Sequence, residues 1–405
     1  MSNPRRPPSR RLPTRRLLRR LAWIGVGAGA VMALQFLRRR PSLAEAVVGE
    51  GPLGELPRVL SRMTGTIPLP VAEVVVAGFL IRQGIGVWKD LQEFGPGPAR
   101  SRWVLVSVGT RLGQDLGILT ALFVLLWGAH YARPDLPARM GLVEAGAVDV
   151  MELERLSALA VAEANRWYLE LHGTPDAGVP TPPPSAAQLR TELERGWEVV
   201  THRWALPQRS ALDHGPSKSF VVGSVLRRFG VAGMYFPFTG ESLVLPGLPG
   251  SDLARTKAHE MAHQRGWARE SDANALAFLV ARESTHPGVR YSAALFLQGQ
   301  LLTALAGSDL DLARTVASRR LPGVRRDLAA RALFWEVAQG WTVRVGRTLN
   351  NTMLRAHGIP EGVASYQGSV GILVALARAE GTGVLFSDPA SQGPPMDLTG
   401  ASGGS

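Results

Sequence analysis

The sequence predicts a mainly α-helical fold with a small β element, in which N-terminal transmembrane helices precede a larger globular domain. Three observations carry this expectation. Apolar stretches of membrane length are confined to the first third of the 405 residues. Beyond Tyr131, apolar residues recur at three-four spacing, the period of helices that bury one face. The exception lies around Phe220-Val221-Val222 and Met234-Tyr235-Phe236, where β-branched and aromatic residues are separated by Gly230 and Gly233, as in short strands. Hydrophobic content of 45% is ordinary for a soluble protein, so its distribution, not its total, marks the membrane region.

Residues 1–20 carry eight arginines and no aromatic residue to interleave with bases. With a net charge of +12 overall, that run reads as a basic cytoplasmic tail facing anionic lipid and not as a nucleic-acid site. The absence of cysteine excludes disulfides, thiolate ligands and a cysteine nucleophile, and leaves the compartment open.

The membrane region, 21–133, holds three expected spans. Leu21 to Leu37 is free of charge between Arg19-Arg20 and Arg38-Arg39-Arg40. No small-residue cleavage site precedes those arginines, so an uncleaved anchor is expected. The second span, 67–88, contains Glu73 and Arg82. The third, 104–130, has Arg111 and Asp115 one turn apart, close enough to pair with each other. A cytoplasmic tail and three crossings place the following domain, 137–385, outside an inner (cell) membrane. Lys89, Arg100 and Arg102 in the second loop suit the cytoplasm, whereas Arg38 to Arg40 run against the rule. If 67–88 does not span, the domain lies in the cytoplasm instead.

Within the domain, Asp149 and Glu152 read as a capping-box-like start. Leu153, Leu156, Ala160, Ala164, Trp167 and Leu171 then form the buried stripe of a helix. Residues 174–185 are a proline-rich loop, and 186–204 are helical again. Ser251 or Asp252 is expected to cap a helix that stops at Gly266, and a further helix starts near Ser271 and buries Leu276, Leu279 and Val280. From Arg290 to about Ala379 the chain reads as mostly helical, and the glycine- and serine-rich end, 386–405, as disordered.

The first of those two helices carries His259-Glu260-Met261-Ala262-His263. Histidines four apart share a helix face about one turn apart, so both imidazoles reach one ion, expected to be Zn²⁺. Glu260 then faces the same ion and is expected to act as general base toward an attacking water. Two histidines do not hold a catalytic zinc without a third protein ligand. Glu270 is the first choice, seven residues past His263 with Gly266 between to turn the chain; Asp272 follows, and Glu283 is third. Glu270-Ser-Asp-Ala-Asn274 resembles the ExxAD ligand helix of several membrane-embedded zinc peptidases. There the acid binds metal and the last position, here Asn274, steadies a histidine. A metzincin site is excluded, because its third ligand position is Arg269, a cation. Charged Lys257 and Arg265 depart from the uncharged flanks usual for such helices.

Five blocks, in order, resemble an uncharacterised family of bacterial membrane proteins, domain of unknown function 3810. Trp127-Gly-Ala-His-Tyr131-Ala-Arg133-Pro134 is similar to its WGxNYxR segment, with His130 in place of Asn, and Tyr235 to Glu241 to its PFTGE block. His259 to Asn274 is similar to HExAHQRGxAxEDEAN, with Asp272 replacing the second Glu. Arg290-Tyr291-Ser292 and Asn351 to Tyr366 match an RYS block and a segment ending in GxxSY. The likeness covers most of 67–380 and implies a multi-span membrane protein with a zinc-peptidase domain, without naming a substrate.

The combined expectation is a zincin-like (HExxH) metallopeptidase domain anchored in a bilayer, cutting a peptide or protein substrate. His259, His263 and Glu270 hold zinc, and Glu260 is the catalytic base. Tyr291, or else His286, is expected to donate to the oxyanion. The Tyr235 to Glu241 block is expected to offer an edge strand to an extended peptide or simply to pack beneath the helix. Two other classes compete: a zinc-binding but inactive envelope sensor or scaffold, and a metal-free membrane interaction protein.

Overall fold

A computed structural model describes residues 14–386 apart from 95–99, 144, 339, 347 and 349–367. Most of the basic tail, the 351–366 block and the 387–405 end lie outside the described residues. Phe386, placed by sequence in that end, is buried in the core.

Among the described residues three helices are long and apolar enough to cross a membrane, and they mark the chain as membrane-associated. These are α1 (Thr14–Arg38), α3 (Val71–Glu93) and α4 (Arg100–Leu126). Between α1 and α3 lies the short amphipathic α2 (Glu55–Gly65). The spans expected at 21–37, 67–88 and 104–130 are all present with shifted ends. Arginines are good helix formers, so α1 starts before its apolar stretch. Pro70 caps α3, and the non-helical backbone of Trp127 (φ −148°, ψ −49°) ends α4, after which a 3₁₀ turn spans Gly128–Ala132.

The contacts fix the direction of each helix. Arg20 donates to the carbonyl (2.8 Å) and hydroxyl (3.1 Å) of Ser107, and Leu34 shares a cluster with Val124. Between these, a Cβ on Gly27 would sit 2.6 Å from the Gly117 Cα. Residue numbers rise together, so α1 and α4 run parallel, in contact through small residues as in close-packed membrane helices. Helix α3 runs the other way: Arg82 pairs with Asp115, Asp90 with Arg111, and Glu93 with Arg16. The ends at Arg38, Val71 and Leu126 therefore share one side of the bundle, which also faces the domain. The expected Arg111–Asp115 pair does not form. Asp115 accepts two bonds from Arg82 (2.9 and 2.8 Å) and one from Gln83, while Arg111 reaches Asp90 at 2.9 Å. A neighbouring helix offers each charge a partner across the bundle, which satisfies it better than local spacing does.

The domain is built on helices α5 (Val150–His172), α6 (Ala186–Arg203), α7 (Gly250–Gln264), α8 (Glu270–Arg282), α9 (Pro287–Ser308), α10 (Leu310–Ser318), α11 (Pro322–Trp335) and α12 (Gly368–Glu380). Asp149 caps α5, its carboxylate accepting from Met151 N at 2.6 Å, and the predicted stripe from Leu153 to Trp167 is buried. Glu152 does not complete a capping box; it pairs with Arg378 of α12. The full capping box is on α6, between Ser185 and Gln188. Helix α8 is buried along nearly its whole length because α6, α7, α9 and α12 all pack on it. Helix α7 starts at Gly250 behind Pro249, one residue before the expected caps, and Asp252 instead pairs with Arg331.

A three-stranded sheet covers α7. Strands β1 (Lys218–Ser219), β2 (Gly233–Phe236) and β3 (Glu241–Val244) are ordered β1-β3-β2, with β1 parallel and β2 antiparallel to β3. The strand expected at 220–222 is shorter and earlier, because the amides of Val221 and Val222 donate to Glu73 in the first turn of α3. At the other end of β3, Glu241 accepts from Val71 N (2.9 Å) and Ala72 N (2.6 Å), capping α3. The sheet is thus fastened directly to the second membrane helix.

Candidate metal centre

The two histidines project from the last turns of α7, and Glu270 is the first residue of α8. Gly266 makes the corner between them at φ +87°, a conformation that costs glycine nothing. A Cβ there would also come within 2.7–3.1 Å of His130 and Arg133. The corner folds Glu270 back over the histidines: its carboxylate oxygens lie 3.2 Å from His259 Nε2 and 3.6 Å from His263 Nε2. All three ligand atoms fall within 4.8 Å of one another.

This donor set fits a zinc ion: two imidazole nitrogens and one carboxylate, converging in a buried site. The hydrogen bonding around it fits as well. His263 Nδ1 lies 2.8 Å from the Trp267 carbonyl, which only accepts, so Nδ1 carries the proton and Nε2 is free to ligate. His259 Nδ1 is buried without a partner among the described residues.

Electrostatics tie the cluster together. Burial opposes charge on Glu270, but His263 and His259 hold its carboxyl well below the usual carboxylate range. Burial likewise opposes charge on His263, and Glu270 overcomes it, raising the imidazole. His259 is pushed down to about 4 by burial against its bond to Glu270. Glu260 is pushed up to about 8 by burial, against the pull of His263. A carboxyl in that range exchanges a proton readily near neutral pH.

An aromatic wall encloses this group. Trp127, the residue after α4, meets His263 edge-on at 5.7 Å and Tyr235 at 4.8 Å between ring centroids. Burial raises the Tyr131 hydroxyl above its usual range, and the charge of Glu270 raises it further. On the other flank β2 lies against Glu260. A Cβ on Gly233 would sit 2.5 Å from Glu260 Oε1, and the Tyr235 backbone hydrogen-bonds the carboxyl. Sequence reasoning gave no catalytic-site role to Trp127, Tyr131 or Gly233. The signals for them were membership of the Trp127 to Pro134 block for Trp127 and Tyr131, and a place between two short strands for Gly233.

The other candidates lie elsewhere. Asp272 accepts from Leu136 N at 3.2 Å, and burial pushes its carboxyl up to about 7 against the pull of Arg269. Two positions on from Glu270, it points to the opposite side of α8. Glu283 pairs with Arg282 at 2.7 Å. Asn274 accepts from Arg255 (3.3 Å), not from a histidine. Tyr291 is not brought to the cluster: its hydroxyl donates to Asp327 at 2.8 Å, and its ring packs on Tyr168. Helix α9 turns that residue toward α5 and α11. His286 accepts from Gly288 N (3.1 Å) and caps α9. Arg269 pairs with Asp135 at 3.0 Å.

The residues after the second histidine hold α7 in place. Gln264 donates to Ser61 Oγ (2.7 Å) and to the carbonyls of Gly215 and Gly240. Arg265 is buried, pairs with Glu194, donates to Ser210 O at 2.8 Å and lies over the Trp197 ring. Its charge is therefore satisfied inside the domain and does not disturb the site. Arg133 joins the Gly266 carbonyl (2.9 Å) to Glu45.

The fold and the site define a helical, membrane-associated protein with an HExxH-type cluster able to hold a metal. The chain belongs to the family described as a protein of unknown function, DUF3810, which matches residues 56–374. That range runs from α2 into α12 and contains the whole cluster. No curated protein and no solved structure matches the chain.

Proposed function

We propose that this protein is a membrane-anchored zinc metallopeptidase whose domain faces the outside of the cell membrane. The observation that supports this most is the convergence of His259, His263 and Glu270 beside buried Glu260. The arginine-rich tail and the up-down-up course of α1, α3 and α4 support the placement of the domain.

His259, His263 and Glu270 would hold the ion. Bound zinc supplies Lewis acidity, which activates a water and polarises the scissile carbonyl. Glu260 takes one proton from that water as its oxygen bonds to the carbonyl carbon. The C–N bond breaks, and Glu260 passes the proton to the leaving amine. The Trp267 carbonyl keeps His263 in one tautomer and orientation throughout. Trp127 and Tyr235 exclude bulk water from one side.

The test is elemental analysis of the full-length chain beside His263→Ala and Glu260→Gln variants, with hydrolysis of a random peptide library. Expected are about one zinc per chain in the wild type and in Glu260→Gln, little in His263→Ala, and turnover only in the wild type. Absence of zinc from folded wild type would end the reading. Zinc with hydrolysis indifferent to Glu260 would leave a metal-binding sensor or scaffold.

A further inference from the structure

The cluster lies level with the domain-side ends of the membrane helices. Leu34 of α1 packs with Val124 of α4, so Arg38 and Gly128 stand at about the same height. Trp127, the first residue past α4, touches His263 at 5.7 Å. Tyr131 senses Glu270 of the site and Arg38 at the end of α1. From the third helix, α2 leads into α3, and its Ser61 is bonded to Gln264, the residue after His263. The segments that join the membrane helices to the domain therefore pack beside the metal ligands, Trp127 on His263 and Ser61 on the next residue, Gln264.

The surface around the site is suited to lipid. Leu56, Val59 and Met63 lie exposed along one face of α2, followed by exposed Ile67 and Leu69. Val221 and Val222 are exposed, and their amides are held by Glu73 in the first turn of α3. Continuity with the membrane helices identifies the bilayer as what covers these side chains.

A path leads from the bilayer to Glu260. Strand β2 pairs only with β3 among the described residues, and its other edge faces Glu260, whose carboxyl accepts from the Tyr235 amide; an added strand would take over that donor. It begins at Gly233, against Glu260, with Met234 exposed and Tyr235 turned inward. It ends at the turn whose Thr239 carbonyl accepts from Thr64 of α2 at 3.0 Å. At ~3.3 Å per residue, an extended chain leaving the bilayer near α2 reaches Glu260 within about ten residues.

We infer that the substrate is a polypeptide anchored in the same bilayer, bound in extended form along β2 by the first residues that leave the membrane. The inference rests on the peptidase reading above. It takes as substrates the juxtamembrane segments of other membrane proteins, and it predicts that anchored peptides are cut faster than the same peptides free in solution.

The test uses the full chain in lipid nanodiscs with a photo-cross-linking amino acid in place of Met234 and Glu260→Gln to prevent turnover. The probes are random peptide segments of about 12 residues fused to an apolar helix of about 20 residues in the same disc. They are joined either directly or through a flexible polar spacer of about 40 residues, which keeps the confinement and changes only the height. Direct fusions should give at least about tenfold more adducts than spaced ones. Equal capture of both, or capture of neither, overturns the inference whatever the hydrolysis result. The same probes are then given to zinc-loaded wild type. Cuts within about ten residues of the anchor support both readings, while selective capture without any hydrolysis removes the peptidase reading and leaves a binder of juxtamembrane segments.

Discussion

Glutamine in place of Glu241 tests how firmly the second membrane helix is fastened to the domain. The side chain is 2% exposed and accepts from Val71 N, Ala72 N, the Thr239 hydroxyl (2.7 Å) and Lys218 Nζ (2.5 Å). Lys218, 6% exposed, has among the described residues the carbonyls of Thr64 and Leu69 besides. Glu241→Gln therefore leaves a buried ammonium among neutral acceptors, and breaking such a pair from one side costs about 3–5 kcal/mol. At ~2–4 °C per kcal/mol, the fall in melting temperature is about 6–20 °C. The assay is tryptophan fluorescence melting of the full chain in detergent at one scan rate, with Lys218→Met and the double variant alongside. The double variant removes both charges, so it should recover at least about 1.5 kcal/mol relative to the sum of the singles. A shift under about 2 °C with additive singles would refute the reasoning.

Tyr291→Phe should leave zinc content and turnover per folded molecule unchanged, because the hydroxyl serves Asp327. It should cost about 1–3 kcal/mol of stability by removing one hydrogen bond to a buried carboxylate that keeps those from Thr181 N and Oγ; a tenfold or greater loss of turnover (about 1.4 kcal/mol) with zinc retained would return Tyr291 to the reaction. For Glu192, burial opposes its charge, but hydrogen bonds from Thr285 and Ser284 hold the carboxyl down to about 2, below its ordinary 4.5. The folded value is the lower one, so this stabilisation is full above about pH 4.5 and fades as pH falls toward 2. Denaturant midpoints of metal-free protein at pH 6 and pH 3 should accordingly differ more in the wild type than in Glu192→Gln, and equal differences would contradict the assignment.

Local spacing decided what could be read from sequence. His259, Glu260, His263 and Glu270 were legible because a single turn of helix and one glycine corner bring them together, with no help from distant chain. The same rule misjudged Arg111 and Asp115: their spacing allowed a local pair, but α3 supplied better partners. Trp127 and Tyr235 left no periodic trace. Trp127 meets both His263 and Tyr235 only when α4, β2 and α7 converge, across more than a hundred residues between Trp127 and Tyr235. Tyr291 misled for the converse reason. It follows the cluster closely in sequence, but α9 leads it to a separate core with Tyr168 and Val324. The shortening of β1 was equally hidden, since Glu73 of a membrane helix claims the amides that would have extended it.

The parallel contact of α1 with α4 sets a timetable for biogenesis. Arg20 and Ser107 are 87 residues apart in sequence, so at about 5–20 residues per second the first helix waits roughly 4–17 s in the bilayer for its partner. Ser61 waits longer, because Gln264 is synthesised 203 residues later, or roughly 10–40 s. The three membrane helices are thus all made by Leu126 of 405 residues, while their contacts with the domain wait for the rest of the chain. A ribosome that stalls before α4 would leave behind an inserted chain with the polar and glycine-lined faces of α1 and α3 unmatched, a natural target for membrane quality control.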